Sequence, residues 1–273
     1  MRHTLLSRWQ GSLLGSSLGK VFRLEKGEQA CIWQEMQEEG IEALAKTGEW
    51  TPEFSDKKVS ASEMILICLP LLLFFHDQPQ ELEKQLFTLA KQQNYSASSQ
   101  SAMIAYATAM IWVLREQLSE TSFFKDLEGI SGETSYKILQ TLQTYLENGE
   151  TIKQIRRQLL SPCEEIWLAL YCFVTTPEEL LLTMRRTEKL TAVNPLLFSL
   201  VGALSGAHNG VSVIPIPWRC QLRQDKEKWK KKLDPLFATW SGSYEFAKIS
   251  EPLKQSAIAP INIIQTRKHQ SHK

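Results

Sequence analysis

The stretch "GSLLGSSLG" sets Gly11, Gly15 and Gly19 four residues apart, and "VGALSGAHNG" repeats the spacing with Gly202, Gly206 and Gly210. In a helix, positions i, i+4 and i+8 fall along one face. A glycine inside a helix costs about 1 kcal/mol relative to alanine. Two such stripes therefore constrain the chain more than any other feature. Each offers bare backbone to a neighbour and lets helices approach more closely than the usual ~8–10 Å. Both stripes are expected in buried helix contacts, against each other or against other helices. Such packing either fixes helix ends around a site or builds the core alone, and spacing leaves both open.

The rest of the chain reads as helical. "SPCEEIWLALYCF" has Ser161 as N-cap, Pro162 at the first helical position and acids in the first turn. "TPEELLLTMRR" repeats that grammar with Thr176, Pro177, Glu178 and Glu179, and closes on Arg185 and Arg186. "NPLLFSLVGALSG" opens with Asn194 as cap and Pro195 next. A period of about 3.6 also runs through 81–91, 101–118 and 135–147, the last stopped by Asn148-Gly149. Only "VSVIPI" alternates in a way that suits a strand. From about residue 241 periodicity is lost, so 1–240 reads as one helical domain and 241–273 as an extended, partly ordered tail.

Composition excludes several classes. Lys+Arg 31 against Asp+Glu 30 gives a formal net charge of +1, which points to neither nucleic acid nor an anionic membrane. The basic run "KEKWKKK" reads as a solvated face. The five cysteines show no zinc spacing and read as small buried thiols in a reducing compartment. "MILICLPLLLFF" is too short to span a bilayer and contains Pro70. His208 and Asn209 interrupt the other apolar run, and the N-terminus makes a poor signal peptide. A cytoplasmic protein with no membrane span is expected.

"GSLLGSSLGK" resembles the opening helix of the ADP-ribosylglycohydrolase family, which includes the dinitrogenase reductase-activating glycohydrolases and whose members begin G-x-x-x-G-x-x-x-G-D. "VGALSGAHNGVSVIPIPW" is similar to that family's late helix and its exit through I-P-x-x-W. "CEEIWLALYCFVTTPEELLLTMRR" is similar to the preceding helix pair. The resemblance implies an all-α fold, a single-domain orthogonal helical bundle. It also implies a pair of magnesium or manganese ions that bind the ribose of ADP-ribose and activate water. The family takes its carboxylate ligands from a T-D-D-T motif and a D-T-D-T motif, with one more aspartate after the first glycine stripe.

Those carboxylates are missing here. The early motif falls on Val59, Ser60, Ala61 and Ser62, the late one on Val193, Asn194, Pro195 and Leu196, and Lys20 follows the first stripe. Glu63 lies one position past the early motif, about 100° away around a helix, and Asp56 does not restore the pairing. Two dications without carboxylates would leave uncompensated charge in a partly buried site. No metal cofactor is therefore expected, and no catalytic residue is assigned. The candidate ligand-binding residues of the altered cleft are Lys20, Ser60, Ser62, Glu63 and Asn194. Lys20 either replaces part of the metal charge or reaches solvent, and His208 reads as a capping or packing residue. The resulting expectation is a catalytically degenerate binding or scaffold protein. Its partner is another protein or an ADP-ribose-like nucleotide held without metal. The alternative is a hydrolase of ADP-ribosyl or related glycosidic bonds with rearranged residues.

Overall fold

The structure, a computed structural model, describes residues 3–22, 32–50, 58–149, 154–155, 163–190 and 194–243. Asp56, Val193, the Ser161-Pro162 cap and the tail from 244 onward lie outside the described residues. Among the described residues there are helices and turns and no strand. α1 (Leu5–Ser16) runs into a 3-10 turn (Ser17–Lys20), followed by α2 (Ile32–Thr47), α3 (Ala61–Ile67), α4 (Leu69–Phe74) and α5 (Pro79–Gln92). Next come α6 (Ala97–Leu114), α7 (Phe123–Ser131), α8 (Tyr136–Asn148), α9 (Glu164–Val174) and α10 (Leu180–Leu190). α11 (Pro195–Asn209), α12 (Ile216–Gln221) and α13 (Arg223–Trp240) complete the set. No described helix is long and apolar enough to cross a membrane.

The two glycine stripes meet. A Cβ on Gly15 would fall well inside 3.0 Å of the Gly202 backbone, and one on Gly11 would do the same at Gly206. The pairing 11 with 206 and 15 with 202 makes α1 and α11 antiparallel. The third pair departs from the pattern. Gly19 lies against the Pro195 carbonyl and Ser199, whereas Gly210 ends α11 at φ 68 beside Ser7 and His3. Gly210 therefore serves the helix stop, where a positive φ suits glycine. α11 is the central element and packs on α1, α3, α6, α9 and α10.

Polar groups tie this centre together. Arg8 is buried, and its guanidinium donates from Nε to Ala207 O at 2.8 Å and from Nη1 to Leu114 O at 3.3 Å. Nη2 donates to Val113 O, and Glu116 stands 3.3 Å from Nη1. One cation thus serves the last carbonyls of both α6 and α11, where helix dipoles favour positive charge. Burial lowers the Arg8 pKa, and Glu116 opposes that. At the other end of α1, Ser17 Oγ accepts from Gln34 Nε2 at 3.0 Å and from Trp229 Nε1 at 3.1 Å, joining the 3-10 turn to α2 and α13.

Several expectations are corrected. The helix expected to open at Thr176-Pro177 opens at Leu180, because Thr176 instead closes a turn. Its carbonyl accepts from Glu179 N at 3.2 Å and from Thr183 Oγ at 2.7 Å. That helix also runs past Arg185 and Arg186 to Leu190. "VSVIPI" forms a 3-10 turn over Val211–Val213 and the start of α12, not a strand. "KEKWKKK" is only partly solvated. Trp229 is buried, Lys228 pairs with Glu38, and Lys232 reaches Glu38 at 3.1 Å and Glu42 at 2.6 Å. Cys68 and Cys172 are buried thiols whose pKa burial pushes up, Cys172 to about 12. Cys163 is half-buried and Cys220 is exposed, so the buried-thiol expectation fails for Cys220. Cys31 lies outside the described residues.

Two outcomes follow from this packing. Gly15→Ala forces backbone apart and should cost about 2–3 kcal/mol in urea unfolding. Gly129→Ala is the matched control, since nothing lies within 4 Å of the added methyl; it should be neutral or stabilising by up to ~1 kcal/mol. Equal midpoints for the two variants would contradict the close approach.

His76 gives the second. Its ring is buried between Trp9 and Trp240, with Nδ1–H on Leu73 O at 2.7 Å. Burial holds its pKa below the ordinary 6.5, and Arg115 and Arg8 add to the lowering against the Leu73 carbonyl and Asp77. The unfolded chain therefore takes up this proton first as pH falls, so stability present above pH ~6.5 is lost below it. His76→Gln should flatten the change in urea midpoint between about pH 7.5 and 5.5.

Candidate functional site

The glycine contact fixes where Lys20 lies. Gly19 packs on Pro195 O, so the end of the 3-10 turn meets the start of α11. Phe22 then stacks on Phe198 at 4.2 Å between ring centroids, with Trp218 edge-on at 5.1 Å. This holds the chain after Lys20 along α11. The Lys20 ammonium does not stand alone: Nζ lies 2.9 Å from Asp225 Oδ1, in the first turn of α13.

The other candidates act as helix caps. Asn194 Oδ1 accepts from Leu196 N at 3.1 Å and Leu197 N at 3.2 Å, opening α11 as its sequence suggests. Ser60 and Glu63 form a capping box at the start of α3. Glu63 N donates to Ser60 Oγ at 3.2 Å, while Ser60 N and Oγ donate to Glu63 Oε2 at 2.9 and 2.8 Å. Ser62 is buried and donates to Glu165 Oε2 at 3.1 Å. Tyr95 Oη donates to Val59 O at 2.6 Å and anchors the chain just before the cap.

The structure thus gathers Ser60, Ser62 and Glu63 at one helix start and Lys20 and Asn194 beside another. α3 packs on α11, but no described hydrogen bond or ion pair joins the two groups. His208 does not join either group. It sits in the last turn of α11, at the opposite end, with Nε2 3.3 Å from Glu178 and its ring edge-on to Phe173. That agrees with the packing expectation.

A family model described as ADP-ribosylglycohydrolase matches residues 1–244. The chain belongs to the ADP-ribosylglycohydrolase family. No curated protein matches it.

The described groups do not suit a pair of hard dications, which need several oxygen ligands, carboxylates above all. Lys20 brings a positive charge. Val59, Ala61, Pro195 and Leu196 bring no side-chain donor. Asn194 Oδ1 and the Ser60 hydroxyl are engaged by helix starts, and Ser62 donates its proton to Glu165. Among the described residues no three His, Cys, Asp or Glu side chains are grouped to hold a metal ion. Asp225 and Glu165 are absent from the residues singled out by sequence. They meet Lys20 and Ser62 across 205 and 103 positions of chain, and no local spacing signals either pairing.

Capping and ligand binding differ in what they do to stability. Asn194→Ala and Ser60→Ala should each lower unfolding free energy by about 1 kcal/mol. Thermal and urea unfolding without any ligand would show it. Unchanged stability in both would mean that these side chains are held for something other than their helices.

Proposed function

We propose that this member of the ADP-ribosylglycohydrolase family binds and does not hydrolyse. The observation that supports the reading is what occupies the aspartate positions of the resembled motifs: Ser60 and Ala61 in one, Val193 and Pro195 in the other, and Lys20 after the first stripe, with Ser60 capping α3 and Lys20 paired to Asp225. A Lewis-acid ion and a metal-activated water each contribute orders of magnitude to hydrolysis. A chain without their ligands keeps the helical scaffold and loses that acceleration. The polar groups left for binding under this reading are Lys20 and Asn194 at the start of α11 and Ser60, Ser62 and Glu63 at the start of α3. Its partner is another protein or an ADP-ribose-like nucleotide held without metal.

One observation favours a second reading. Glu63 and Glu165 both sit beside serines at the start of α3, so two carboxylates stand near the altered motif. General acid–base hydrolysis by two carboxylates needs no metal. A hydrolase of this kind would lose its activity in Glu165→Gln.

The test is release of ADP-ribose from modified arginine and modified serine, with and without magnesium or manganese. Wild type should release no faster than buffer under either condition. Metal-dependent release would overturn the binding reading. Metal-independent release abolished by Glu165→Gln would establish the second.

A further inference from the structure

Lys20 ends the first glycine stripe, and its only described partner is Asp225 at 2.9 Å. Asp225 is the more buried of the two, with 12% of its side chain exposed against 35% for Lys20. It is held from other sides as well. It lies in the first turn of α13, where the helix dipole favours an acid, and Lys228 Nζ stands 3.9 Å away. Lys228 in turn pairs with Glu38, and Lys232 continues the ladder to Glu38 and Glu42 on α2. Charges alternate along the series Lys20, Asp225, Lys228, Glu38, Lys232, Glu42. Removing the Asp225 charge leaves Lys228 and Lys232 with their glutamates, and leaves Lys20 without its described counter-charge.

We propose that Asp225 is an internal occupant of an anion position at Lys20, a self-closing contact that keeps phosphate-bearing ligands off this end of the glycine helices. An incoming phosphate would have to displace a fixed carboxylate that needs no desolvation and no ordering. The carboxylate it displaced would remain largely buried with only the more distant Lys228 for compensation. Anion binding here is therefore closed in the resting chain and opens when Asp225 is drawn away from Lys20. This rests on the reading of the cleft as a binding site, and it names how that site is regulated.

The experiment titrates inorganic pyrophosphate, and separately ADP-ribose, into the full chain by calorimetry. Wild type, Asp225→Asn, Lys20→Met and the double variant are compared. Asp225→Asn should bind pyrophosphate at least about tenfold more tightly than wild type, and Lys20→Met in that background should abolish the gain. Equal affinity in wild type and Asp225→Asn overturns the proposal, as does a gain that survives Lys20→Met. A pyrophosphate gain without ADP-ribose binding in any form keeps the proposal and removes the nucleotide from the binding reading. A second measurement uses wild type alone and so does not depend on a variant folding. Acylation of Lys20 by acetic anhydride should proceed equally with and without pyrophosphate, and protection by pyrophosphate would show the position already open.

Discussion

The backbone contact between α1 and α11 is the constraint on which the other features depend. Gly11 against Gly206 and Gly15 against Gly202 leave no room for a Cβ on either side, so the two helices are locked in register as well as in distance. That register sets both ends of the pair. At one end Arg8 reaches the terminal carbonyls of α6 and α11 together; at the other Gly19 brings Lys20 to the start of α11. A glycine stripe is costly in a lone helix and stable only as half of such a contact, so each stripe explains the other.

With the scaffold fixed, the chemistry at its helix starts is free to change without loss of the fold. A carboxylate, an amide oxygen and a hydroxyl can each accept from the unpaired backbone N–H groups at a helix start. Asn194, Ser60 and Glu63 take the capping option. Lys20 brings one positive charge, and Asp225 balances it. Lys20, Ser60, Ser62, Glu63 and Asn194 each find a partner within the chain, as polar groups at a partly buried site are expected to.

Much of this was legible from local signals. The stripes announced their own burial, Asn194-Pro195 announced the start of α11, and Asn148-Gly149 the end of α8, where Gly149 is left-handed at φ 65. Thr176-Pro177 carries the same cap grammar as Asn194-Pro195, yet Thr183 on the following helix captures Thr176 for a turn. "KEKWKKK" has the charge of a solvated face, but Glu38 and Glu42 on α2 pair with two of its lysines and Ser17 takes the Trp229 indole. In the candidate site Glu165 and Asp225 were illegible for the same reason. Their partners are distant in sequence, and a single acid among 30 carries no spacing that marks it. Tertiary contact decided the lysine run and the two acids, and a local turn decided Thr176.

The proposed binding role requires that the family's scaffold persist here without its divalent-metal ligands. Manganese binding followed by electron paramagnetic resonance, with elemental analysis of the dialysed protein, measures that directly. The account predicts no saturable manganese and well under one ion per chain at any concentration that leaves the protein folded. A saturable signal approaching about two ions per chain, with the coupled spectrum of a two-metal site, would contradict it.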